Sequence, residues 1–307
     1  MTRSLLGVIL LAIFLLRPVG LRAQTPGGAP VLSTGEGTTQ PFDFSKELRF
    51  AQYLQDKDAL KEAMYVLERV DTTGLSGTQK DSLFYSLGWA AYSGKQLELS
   101  IRNLMQVTPS FPKYDKSRFF AAYCQAFLGR MDTAAGVLRE LTLPDSIQRE
   151  LRSLQLAGIA LLKRDYRSFP PLQQQFTYSS YVFTKEEQRM QGYYDRLKGF
   201  PHRSPVLAGV YSALVPGLGK FYAGKKKQAI AAFLPVISLA ALTYEAYRKD
   251  GVKSARFIGF GTLFSIFYIG DIWGSTLAVR IRRNEFNKEY DNKILFDMHI
   301  PLRNFFN

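Results

Sequence analysis

Three apolar stretches near the carboxyl end constrain this chain more than any other feature. Residues 204–219 and 229–244 contain no charged side chain, and residues 257–279 contain one, Asp271. A helix needs about 20 predominantly apolar residues to cross a hydrocarbon core of about 30 Å. The third stretch meets that length, and the second reaches it with its flanks. The first is short and holds Pro216, Gly217 and Gly219, which favour a bent or re-entrant path over a straight helix. The expectation is a three-segment α-helical transmembrane module over 205–279, with a tail over 280–307.

Charge is distributed around these stretches. The net charge is +14. Residues 24–195 carry 20 Lys and Arg against 19 Asp and Glu, so that part is close to neutral. Residues 196–256 carry 11 Lys and Arg against only Glu245 and Asp250. Basic residues flanking apolar segments meet lipid phosphates. A nucleic-acid binder would carry its basic stripe on the folded domain itself. Membrane lipid is therefore an expected partner, and nucleic acid is not. One cysteine, Cys124, excludes an intrachain disulfide. With His202 and His299 far from it in sequence, no metal and no cofactor are expected.

The amino terminus has the pattern of a secretion signal. Arg3 precedes an apolar run over 5–16, and Ala23 offers a cleavage position before Gln24. Residues 1–23 are read as a signal peptide. Residues 24–41, rich in Gly, Thr, Pro and Ser, are read as a flexible linker. A signal followed by spanning helices implies a multi-pass protein of the bacterial inner (cytoplasmic) membrane. Residues 42–176 would then stand in the periplasm. Three crossings would leave the tail in the cytoplasm. A re-entrant first segment would leave two crossings and put the tail beside the exported domain.

Between linker and apolar module lies a repeat. Residues 82–109 align without a gap on 117–144, pairing Phe84 with Phe119, Ala91 with Ala126, Gly94 with Gly129 and Pro109 with Pro144. A third copy places Ala160 under Ala126, and a weaker copy occupies 47–70. Each unit reads as helix, glycine turn, helix and closing proline. Gly94 and Gly129 are candidates for the left-handed residue that ends a helix. Each pair leaves an apolar face open, so neighbours must stack. With a period near 34 residues, the segment 42–176 resembles the tetratricopeptide repeat. That resemblance implies an all-α helical-repeat solenoid that binds a protein partner on its concave face. Tyr85, Phe120 and Tyr123 are the candidate partner-binding surface. The competing reading makes such aromatics core. Residues 177–204 read as a bridging helix from Thr184 to about Leu197, ended by Gly199 and Pro201. Its aromatics Tyr193 and Tyr194, with Phe200, are expected near a lipid interface.

The stretch Pro216-Gly217-Leu218-Gly219-Lys220-Phe221-Tyr222-Ala223-Gly224, with the later Asp271-Ile272-Trp273, is the most specific in the chain. It is similar to the signature of TM2-like membrane domains, in which two hydrophobic segments meet through a Gly-rich Phe-Tyr-x-Gly turn. Here Asp271 precedes Trp273 rather than following it. The glycine spacing fits neither a dinucleotide fingerprint nor a P-loop. Asp271 is an ionisable residue inside an apolar segment, a costly placement that points to function unless the carboxylate is internally bonded or paired with Lys220. No catalytic constellation is visible. Two functions compete: a membrane-anchored interaction scaffold, and a small transport or insertion component working through the Gly-rich hairpin and Asp271.

Overall fold

The computed structural model describes residues 43–306, so the segments read as signal peptide (1–23) and linker (24–41) lie outside the described residues. Those described form thirteen α-helices and no strand. The first eight come in pairs: α1 (Phe44–Asp56) with α2 (Leu60–Glu68), α3 (Gly77–Ser93) with α4 (Leu97–Leu104), α5 (Tyr114–Phe127) with α6 (Met131–Arg139), and α7 (Ser146–Leu162) with α8 (Phe169–Gln173). Each helix through α8 packs on the next in chain order.

The turn inside every pair is built the same way. One residue takes the left-handed conformation: Asp58 (φ 58°), Lys95 (φ 60°), Gly129 (φ 82°) and Arg164 (φ 60°). The N–H one residue later reaches back to the carbonyl of Leu54, Ala91, Gln125 or Ala160, at 2.8–2.9 Å. This pattern satisfies carbonyls that a helix end leaves free. Gly129 fills the position expected of it, but Gly94 does not. Gly94 has φ −78° and caps α3, and Lys95 makes the turn. The helix simply runs one residue further than the glycine suggested. Ala91, Ala126 and Ala160 are all buried, as the close approach of paired helices requires.

A second device ties alternate units, and it was not read from the sequence. Asp81 at the start of α3 accepts from Thr108 N and Oγ1 at 2.8 and 2.7 Å. Glu150 at the start of α7 accepts from Thr177 N and Oγ1, both at 2.6 Å. In each case the carboxylate holds a loop 27 residues on.

The bridging helix is α9 (Thr184–Lys198), closed by Gly199. Its aromatics do not wait at an interface. Tyr193 donates to Asp297, Tyr194 stacks on Phe169 and Phe200 stacks on Phe286. They bind α9 to α8 and to the final helix because aromatic faces gain more from packing than from exposure.

The first apolar segment is broken, following the bent path that its proline and glycines favour, and two long helices follow it. Helix α10 (Pro205–Leu214) has Ser204 as its N-cap and Pro205 in its first turn. At about 1.5 Å per residue it is roughly 15 Å long, half a bilayer core. Pro216 forces Val215 into extended backbone (φ −137°, ψ 119°), Gly217 turns at φ 79°, and α11 (Leu218–Tyr222) reverses the path. Helices α12 (Lys226–Asp250) and α13 (Ala255–Phe306) are each long and apolar enough to cross a membrane. The tail is no separate element: it is the second half of α13, which packs on α5, α7 and α9.

Candidate functional site

The Gly-rich motif gathers α10, α11 and α13 around Asp271. Gly217 and the single turn of α11 aim a backbone N–H and the Lys220 ammonium at the same carboxylate. Gly217 N donates to Asp271 Oδ2 and Lys220 Nζ to Oδ1, both at 2.6 Å. Asp271 is 3% exposed. One turn further along α13, Ser275 Oγ stands 2.7 Å from Ser212 Oγ of α10, which accepts from Gly219 N at 3.1 Å. Gly219 cannot carry a side chain, because a Cβ there would strike the Ala208 carbonyl and Ser275. The motif glycines are thus needed for close approach as well as for turning.

The rest of the motif forms the base of the hairpin. Arg203 donates to the Tyr222 carbonyl, and Arg282 to Ala223 O at 3.1 Å. Tyr222 accepts from Ser204 N at 3.2 Å and meets Tyr211 edge-on. Gly224 (φ 80°) lies under both arginines, with no room for a Cβ. Phe221 points outward, half exposed, and Trp273 is exposed and plays no part in the Asp271 cluster.

Chemically the cluster is a closed ion pair. Both carboxylate oxygens have donors and the pair is neutral as a unit. A cavity of about 500 Å³ adjoins it, lined by Lys220, Asp271 and Gln228 together with apolar side chains of α12 and α13.

The candidate partner surface lies elsewhere and is not free. Tyr85, Phe120 and Tyr123 are all buried, with Phe120 at 0% exposure. For two of them the cover is the chain's own final helix: Phe306 packs on Phe119 and Phe120, and His299 stacks on Tyr123 at 5.1 Å. Tyr85 is covered by Trp89 and Phe111. Around these contacts the tail is held by ion pairs, Arg189 to Asp297 at 2.7 Å and Arg164 to Asp291 at 2.8 Å. Gln155 also donates to Met298 O at 2.7 Å. Sequence reasoning missed this docking. Its signal was present as Ile294, Met298 and Leu302, spaced by four and all fully buried.

No family model, curated protein or solved structure matches this chain.

Proposed function

We propose that the chain is a membrane-anchored protein–protein interaction scaffold, in which α12 and the first half of α13 cross a bilayer and the helical repeats hold a partner. On this reading the repeats are tetratricopeptide-like and exported behind the amino-terminal signal. The apolar module is TM2-like, and the protein binds rather than catalyses.

The observation that carries the reading is where the apolar surface lies. Only 17% of the apolar window of α12 and 6% of that of α13 is buried. Ile230, Leu234, Ile266, Ile269 and Trp273 stand 57–77% exposed. A continuous belt of this kind needs a cover that the protein does not supply, and lipid is the cover that also suits its flanking lysines and arginines. The tail supports two crossings. Docked on α5, α7 and α9, it must share their side of the membrane, and an even number of spans with a half-depth hairpin allows that.

Purification of the full chain in mild detergent tests the function. Proteins that co-purify with the intact chain and are lost when the repeats are deleted are the expected result. The cavity beside Lys220 and Asp271 favours a second reading, a transport or insertion component. Flux in liposomes that depends on Lys220 and Asp271, without any co-purifying protein, would favour it.

A further inference from the structure

Beside the docked tail lies a cleft in the repeats, with a volume of about 570 Å³. Its walls are Trp89 and Tyr92 of α3, and Tyr123 and Phe127 of α5. Arg303 of α13 and Lys95 of the α3–α4 turn line it as well. Both cations are exposed, and among the described residues neither makes an ion pair. The carboxylates nearest them in sequence are committed elsewhere: Glu98, near Lys95, to Arg130 through two hydrogen bonds of 2.5 and 2.8 Å, and Asp297, near Arg303, to Arg189 at 2.7 Å. Burial, and then the nearby Arg303, hold the pKa of His299 below the usual value, and its ring bonds to Tyr92 Oη.

We propose that this cleft is a docking site for an acidic peptide segment of the partner protein, with an aromatic side chain among Trp89, Tyr92, Tyr123 and Phe127 and carboxylates at Lys95 and Arg303. The inference rests on the scaffold reading and names the chemistry of its partner. Three features argue for it. Two unpaired cations at the edge of an aromatic cleft complement an anion bearing an apolar group. The adjoining surface already takes a peptide in this manner, since Phe306 of the tail packs on Phe119 and Phe120 while Lys116 donates to its carbonyl at 3.0 Å. Lipid is out of reach, because His299 lies 20 residues beyond Val279, about 30 Å further along α13.

The chain has two tryptophans, so Trp273→Phe leaves Trp89 as the sole indole reporter. The full-length Trp273→Phe protein in detergent is titrated with the peptide acetyl-Glu-Phe-Glu-Phe-Glu-amide. A saturable change in Trp89 emission is expected, weakened about tenfold or more by Lys95→Asn with Arg303→Gln, the loss of roughly 1.4 kcal/mol. Asparagine is chosen because it tolerates the left-handed backbone at position 95. Phe127→Ala, at a half-exposed position, is the second variant and should weaken binding without altering the fold. No saturable change, equal binding of the glutamine analogue, or full competition by inorganic phosphate alone would each overturn the proposal. Native partners that still co-purify with the Lys95→Asn, Arg303→Gln protein would also overturn it while leaving the scaffold reading intact.

Discussion

Asp271 and Lys220 neutralise each other in a setting where neither is tolerated alone. Asparagine at 271 keeps the shape but removes the counter-charge, leaving a buried ammonium. Breaking such a pair costs about 3–5 kcal/mol, while replacing both partners can be nearly neutral. Asp271→Asn should therefore melt at a markedly lower temperature in detergent, and Asp271→Asn with Lys220→Gln should recover most of the loss. An unstable double variant would show that the pair does more than cancel charge. A second buried carboxyl behaves differently. Burial, and then the neighbouring Glu150, push Glu187 up from 4.5 to about 8, with Glu186 adding to the shift and Tyr178 N opposing it. The folded state thus holds a proton that the unfolded chain releases. That contribution to stability is complete below about pH 4.5 and is lost as pH rises through about 8. Melting temperature should fall across this window, and Glu187→Gln should flatten the fall. An equal slope in the variant would assign the dependence to other groups.

At the scale of helices and turns, the same left-handed corner recurs with four different residues. Only Gly129 occupies it without steric cost. Gly129→Val should destabilise by about 1–2 kcal/mol, and Lys95→Gly should stabilise by up to about 1 kcal/mol, read from thermal or urea unfolding of the whole chain. The repeat spacing made the existence of these corners legible, because apolar periodicity and the glycines recur together. It did not say which residue turns, since a helix can overrun its glycine by one position, as α3 does at Gly94. The pairing of Asp271 with Lys220 was legible for the opposite reason: an apolar segment offers a carboxylate few partners. The docking of the tail was missed because a tetratricopeptide-like groove suggests a foreign ligand, and the apolar stripe Ile294, Met298 and Leu302, though legible as one face of a helix, does not say what that face packs on. The contact between Gly158 and Met298 tests that filling. A Cβ on Gly158 would stand 2.5 Å from Met298 Sδ. Gly158→Ala should cost about 1–3 kcal/mol and Met298→Ala about 2–5 kcal/mol. Together they should cost less than the sum, as touching residues do. Strict additivity would mean that the helix is not seated there.

For the whole molecule, the proposed two-span arrangement rests on the docking of α13 on α5, α7 and α9. Cys124 is fully buried, so introduced cysteines report on their own. Tyr65→Cys on the repeats and Asn304→Cys on the tail should react with a membrane-impermeant maleimide from one side, and Val252→Cys, between α12 and α13, from the other. Labelling of positions 65 and 304 from opposite sides would refute the two-span arrangement. The same connectivity also has a consequence in time. A ribosome makes the repeats first, the spanning helices next and residues 284–306 last. On the proposed two-span reading, the groove over Phe119 and Phe120 therefore stays open until α12 and α13 have been synthesised and inserted. A nascent chain that stalls or inserts wrongly keeps that aromatic groove uncovered for chaperones and proteases. On that reading, closure by the tail makes completion of the helical-repeat core a record of successful membrane insertion.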